Sequence, residues 1–176
     1  MLRGINVGGS KIIKMDRLRA LFAALGFAGA HTYLQSGNVL FTAPAEGPAQ
    51  EAAIRDRIRA DLGFDVDVAV RSARGMTAAV KRNPLLQPGR DPRHLHATFL
   101  IGARRPSLKG IDLPLRADEE AVLVRDIVYM YCPTGYGETK IHTQFLRRAL
   151  GVPATTRNWV TVTALEALAN GRGAGL

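Results

Sequence analysis

Apolar residues in the N-terminal half of the chain switch repeatedly between a helical and a strand period. Met1-Leu2-Arg3 reads as the end of a strand, and Gly4-Ile5-Asn6-Val7-Gly8-Gly9-Ser10-Lys11 as a glycine-rich loop. From Met15 to Gly26 the apolar positions Met15, Leu18, Leu21, Phe22 and Leu25 recur at helical spacing, with Gly26 where a C-cap belongs. Residues 30–34 and 39–42 read as two strands, and the short, glycine-centred Ser36-Gly37-Asn38 between them favours a tight hairpin. After a loop at 43–48, residues 49–62 form a second amphipathic helix with Ile54, Ile58 and Leu62 on one side, stopped by Gly63. Val66 to Val70 then alternates as a strand should.

The resulting order is β-α-β-β-α-β, the ferredoxin-like arrangement, within an α+β fold. A third helix, N-capped by Ser72, is expected from Ala73 to about Arg82 and ends at Asn83-Pro84. The polar stretch Gln87 to Pro92 is the best boundary. The expected halves are therefore 1–84 and 85–176, sharing one core. In the second half, residues 95–101 read as a strand, 104–115 as a proline-containing connection, and 121–125 with 127–132 as a hairpin about Asp126. A helix over about 139–150 and a last helix over 159–169 follow, and Gly171 to Gly175 reads as a frayed end.

Composition narrows the class. Apolar residues make up 47% and charged residues 22%, as in an ordinary globular protein. No apolar run reaches the length of roughly 20 residues that spans a bilayer, so no membrane partner and a cytoplasmic location are expected. The lone Cys132 excludes an internal disulfide and any multi-cysteine metal site. The formal net charge is +9, which points to an anionic partner. Arg3, Lys11, Lys14, Arg17 and Arg19 stand against Asp16 alone near the start. Lys140, Arg147, Arg148, Arg157 and Arg172 stand against Glu138 and Glu166 near the end.

Three segments carry candidate chemistry. Gly4 to Lys11 could turn several backbone N–H groups toward one anion, with Arg3 and Lys11 adding charge and Asn6 a hydrogen bond. The order Gly9-Ser10-Lys11 exchanges the lysine and hydroxyl of a P-loop, which excludes a nucleotide triphosphatase on that motif. The competing structural role for Gly4, Gly8 and Gly9 is a crossover needing turns. The turn Gln35-Ser36-Gly37-Asn38 should lie at the same sheet end as that loop, because the first two strands run parallel in the ferredoxin-like order. Gly37 and Asn38 also suit turn dihedrals alone.

Arg157, Asn158 and Trp159 precede the last helix, where a guanidinium and an indole could hold a phosphate and a ring. There the competing reading is a capped helix start with Trp159 in the core. His94 and His96 could face one side of a strand but lack a third ligand. His142 and Cys132 show no nucleophile signature, and Asp118-Glu119-Glu120 reads as a solvated turn. No metal or cofactor is expected, and no catalytic set is assigned.

The stretches Leu2 to Gly9, Leu18-Arg19, Gly26-Phe27, Thr32 to Val39 and Thr156 to Trp159 closely resemble the bacterial domain-of-unknown-function family 1697. The likeness extends over nearly the whole chain and implies an α+β protein built from ferredoxin-like halves, with no established activity. Family members usually carry several apolar residues before the Leu-Arg-Gly-Ile-Asn motif. Here Met1 stands directly before Leu2, so a shortened first strand is expected.

The function expected is binding of a phosphate-bearing small molecule or nucleotide by Arg3, Gly4, Asn6, Gly8, Gly9, Lys11, Gln35, Ser36, Asn38, Arg157, Asn158 and Trp159. A nucleic-acid-binding module is the less favoured alternative, since the candidate strands offer only Tyr33 and Phe41 as aromatics. A structural or protein-interaction domain is the third.

Overall fold

A computed structural model of the chain describes residues 1–43, 47–102 and 106–172. Parts of the 43–48 loop, the 104–115 connection and the glycine-rich C-terminus lie outside the described residues. The chain forms two units, Met1–Ser72 and Ala73–Leu176. Among the described residues it is α+β, with five α-helices and two antiparallel sheets.

In the first unit, α1 (Met15–Ala24) buries Leu18, Leu21 and Phe22, the stripe its helical spacing predicts. β1 (Ala28–Tyr33) and β2 (Asn38–Thr42) pair antiparallel, with His31 opposite Leu40 and Tyr33 opposite Asn38. A register irregularity falls between Ala28 and His31. α2 (Pro48–Leu62) opens on a proline suited to the first turn and closes on Gly63 at φ 74°. Leu2, Ile5, Ile13, Ile54, Ile58 and Val68 join the α1 residues in one apolar cluster. Phe22 meets Phe41 edge-on at 5.1 Å between ring centroids, and Phe27 lies 4.7 Å from Phe41.

The first and last strands of the expected β-α-β-β-α-β order are reduced. Leu2 makes an isolated antiparallel bridge to Val68, supported by Arg3 N–H donating to Asp67 O (2.9 Å) and Ala69 N–H to Met1 O (2.9 Å). Leu2 N–H donates to Gly37 O at 2.7 Å, so Leu2 links the Val68 segment to the start of β2. Gly4 follows at φ 63°, which turns the backbone out of the extended course directly after this bridge.

In the second unit, β4 (Glu120–Val124), β5 (Ile127–Tyr131), β3 (Leu95–Leu100) and β6 (Ala154–Asn158) stand in that order, all antiparallel. All six residues of β3 are buried, as expected of a strand with both faces covered. Alternate β5 residues separate: Val128 and Met130 join Cys132, Ile141 and Leu146 in a cluster that includes α4 (Thr143–Leu150). Tyr129 turns the other way, donating to Ala79 O of α3 (Ala73–Lys81) at 2.8 Å and meeting Trp159 of α5 (Trp159–Ala169) edge-on. α3 packs on α5 with a Thr77 to Glu166 hydrogen bond of 2.8 Å, so it belongs to this unit and the chain divides at Ser72–Ala73 rather than near 84.

Two further elements differ from the sequence reading. Residues 154–158 are a strand, because Thr155 and Thr156 pair with Phe99 and Thr98; β-branched residues in so short a polar run gave no periodic signal. The helix expected from 139 begins at Thr143, where His142 Nδ1 accepts the Phe145 N–H at 3.2 Å and acts as N-cap.

Candidate functional site

The Gly4–Lys11 segment is a miniature hairpin rather than an open cradle. Val7 bridges Ser10, Ser10 N–H donates to Val7 O (3.2 Å), and Asn6 N–H donates to Lys11 O (3.2 Å). Gly8 and Gly9 occupy the tip at φ 60° and 75°, the positive values that a two-residue hairpin turn requires at both central positions. That turn accounts for both glycines. It also leaves the Gly8 and Gly9 N–H groups with no acceptor among the described residues.

Asn6 fastens this hairpin to the second segment. Its Nδ2 donates to Ile13 O (3.1 Å) and to Gln35 O (2.8 Å), and its Oδ1 accepts the Ile13 N–H (2.8 Å). The loop and the Gln35–Asn38 turn are therefore neighbours. Gln35 and Ser36 are exposed. Asn38 is fully buried; its Nδ2 donates to Tyr33 O (3.0 Å) and Ser36 Oγ (3.2 Å), so it holds the turn closed.

The expected cations are engaged locally. Arg3 pairs with Asp67 at 3.4 Å, and Lys11 Nζ donates to Asp65 O. The Arg3–Asp67 pair is half-buried and the Lys11 contact is to a backbone carbonyl; a phosphate, with more charge than a carbonyl oxygen, could draw Lys11 away. The two joined segments also carry what the sequence reading missed. Of the large apolar side chains left exposed among the described residues, Val7 (62%), Ile12 (68%) and Leu34 (55%) all lie here. Asn6, Lys11 and Leu34 hold positive φ, a conformation unfavourable for a leucine or a lysine by roughly 1 kcal/mol or more. The available signal was apolar residues inside a glycine-rich, polar-flanked loop.

Arg157, Asn158 and Trp159 lie in the second unit with structural partners of their own. Arg157 Nη1 donates to Thr155 Oγ1 (3.0 Å) and Thr156 O (2.8 Å), and burial lowers its pKa to about 10. Asn158 Oδ1 accepts the Thr161 N–H at 2.8 Å and N-caps α5. Trp159 is 3% exposed, so its ring packs inside the unit and offers no open stacking face.

Nearby, Thr98, Thr143, Thr156 and Tyr136 form a hydroxyl network that no local pattern could reveal, because its members come from four separate segments. Thr156 Oγ1 lies 2.7 Å from Thr98 Oγ1, 2.6 Å from Thr143 Oγ1 and 3.2 Å from the Tyr136 hydroxyl. Tyr136 and Thr143 also meet at 2.9 Å. Each hydroxyl hydrogen thus has an acceptor within the group, and His96 stacks on Tyr136 at 4.6 Å.

The remaining candidates are structural. Among the described residues no three His, Cys, Asp or Glu side chains gather to hold a metal ion. Burial lowers the His96 pKa. Burial, aided by the Glu119 charge, pushes the Cys132 thiol up to about 11, the opposite of an activated nucleophile. Glu119 is not in a solvated turn: it is 5% exposed and accepts the Arg116 N–H at 3.0 Å. Phe41 sits in the aromatic cluster of the first unit, which leaves half-buried Tyr33 as the one aromatic of β1 and β2 outside that cluster.

Fold and loop pair together define an α+β protein whose first unit presents an unusual exposed hairpin and turn. The family described as "Protein of unknown function (DUF1697)" matches residues 1–129, and the chain belongs to that family. The match covers both Asn6-joined segments and ends before the Thr156–Trp159 stretch. The chain is also similar to a solved structure of the conserved bacterial protein SP0830 from Streptococcus pneumoniae. That likeness has a TM-score of 0.69 at 23% identity and covers 96% of each chain, showing a shared fold. No curated protein matches the chain.

Proposed function

We propose that the hairpin at Gly4–Lys11 and the turn at Gln35–Asn38 bind a phosphorylated small molecule, with nucleotides the foremost class. The observation that carries this reading is the concentration of unspent groups on two segments fastened by one side chain. Among the described residues the Gly8 and Gly9 N–H groups lack acceptors, and Val7, Ile12 and Leu34 stay exposed on or next to the two segments. A phosphate would accept from those amides, while the apolar body of the ligand covers Ile12 and Leu34. Arg3 and Lys11 would exchange their present partners for the phosphate, and Gln35 would orient the ligand through its amide. Gly4 and Asn6 set the backbone, with Ser36 and Asn38 shaping the turn. Arg157, Asn158 and Trp159 are left to their own unit.

No described helix is long and apolar enough to cross a membrane. The single buried cysteine fits a reducing, cytoplasmic setting.

A thermal-shift screen of inorganic phosphate, nucleotides and sugar phosphates tests the proposal, with Arg3→Ala and Ile12→Glu as site variants. A ligand at about 100 times its Kd should stabilise the parent by about 2.7 kcal/mol and neither variant comparably. No shift with any phosphate at millimolar concentration would refute it. A second reading, a protein-interaction surface, is favoured by the exposed Val7, Ile12 and Leu34; it predicts that Ile12→Glu alters association state without altering any phosphate response.

A further inference from the structure

β1 is an edge strand with a groove beside it, separate from the hairpin and turn. Leu2 N–H reaches Gly37 O immediately before β2, so Leu2 occupies the side of β2 away from β1. Among the described residues β1 pairs with β2 alone; at its end Tyr33 O also accepts from Asn38 Nδ2, a side chain of β2 itself. The strand contains no proline and no Lys, Arg, Asp or Glu to discourage an added strand; its one irregularity falls between Ala28 and His31, with Gly29 at φ 62°, so His31–Tyr33 is the regular part of the edge. An open depression of about 490 Å³ borders its first half, lined by Arg19, Ala20 and Ala23 of α1 and by Phe27, Gly29 and Ala30. Side chains this small let another backbone approach and leave room for its alternate side chains, which project every second residue.

The charge of the groove selects the occupant. Arg19 is the charged residue in the lining, held by Thr32 Oγ1 at 3.0 Å and by the exposed Asp16. Lys14 precedes α1 and Arg17 lies within it, both exposed, and Asp16 is the sole acid of that helix. An incoming carboxylate would compete only with a solvent-exposed pair.

We propose that the β1 edge and the α1 groove take an extended acidic peptide as an added strand. Backbone hydrogen bonds to β1 supply affinity, small side chains enter the Ala20–Ala23 depression, and a carboxylate meets Arg19.

Fluorescence anisotropy with a labelled Thr-Ala-Thr-Glu-Thr-Ala-Thr peptide, whose Ala and Glu side chains share one face, tests this. Saturable binding on the order of micromolar is expected, weakened about tenfold or more for the counterpart with Lys in place of Glu. Methylating alternate peptide nitrogens separates strand addition from charge attraction. One methylation register should abolish binding and the other preserve it, because alternate N–H groups face the partner strand. Ala23→Trp, at an exposed position, should block the groove while leaving circular dichroism unchanged, and Arg19→Glu should reverse the charge preference. The proposal is overturned by absence of saturable binding, by equal binding of both methylated registers, or by unchanged binding to Ala23→Trp. It is equally overturned by a concentration-dependent dimer lost in Ala23→Trp, which would assign the groove to a second copy of this chain.

Discussion

Replacing Gly37 by alanine tests how closely the first unit is packed beneath the candidate site. Gly37 holds φ 85°, and a Cβ there would lie 2.9 Å from Leu2 Cβ and 2.9 Å from both Cγ1 and Cδ1 of Ile5. Leu2 and Ile5 are 1% and 0% exposed; Leu2 Cβ is fixed by its own backbone, and the Ile5 side chain is enclosed in the core, so the clash is not relieved by a simple rotation. The positive φ contributes roughly 1 kcal/mol of destabilisation, and overpacking a filled core adds typically 1–3 kcal/mol. Gly63→Ala is the control: its φ is 74°, but a Cβ there meets nothing within 4 Å. It should show the backbone penalty alone, roughly 1 kcal/mol. Trp159, the single tryptophan, lies in the second unit, so its emission cannot report this change. Native-state hydrogen exchange of the Leu2 and Ala69 amides, both bonded within the first unit, is the suitable assay. Gly37→Ala should lower their opening free energy by about 1–3 kcal/mol more than Gly63→Ala. Equal losses in the two variants would refute the close approach.

Asn6→Ala removes three hydrogen bonds and should destabilise the first unit by about 2–4 kcal/mol; an exchange profile like the parent's would contradict its fastening role. Asn158→Ala should lower stability by about 1 kcal/mol through loss of the α5 N-cap, with Asn158→Asp close to parent, read from the urea midpoint of Trp159 emission. Cys132 and Tyr129 have native pKa values raised by burial to about 11 and about 12, so unfolding favours their ionisation at high pH. Their stabilising contribution is complete below the ordinary values of 9.0 and 10.0 and is lost as pH rises toward the native ones. The same urea midpoint should therefore fall between pH 8 and pH 11, and a midpoint that rises would reject the sign.

Local pattern was enough to locate the helices of the first unit, the β1–β2 hairpin and the β4–β5 hairpin. Their periods, glycine stops and turn residues act over a few positions, where propensity and burial agree. Asn158 as a cap and Trp159 as a core residue were legible as alternatives for the same reason. Tertiary structure alone decided the chemistry of the candidate site. Arg3 meets Asp67 across the unit, Asn6 reaches Gln35, and the Thr98, Tyr136, Thr143 and Thr156 hydroxyls converge from distant segments. Whether a cation faces solvent, or an asparagine serves the backbone, depends on the partner that folding brings opposite it. In this chain the glycine-rich loop was visible as a sequence, whereas its closure into a hairpin, its attachment through Asn6 and the exposure of Val7, Ile12 and Leu34 came into being only when the unit folded.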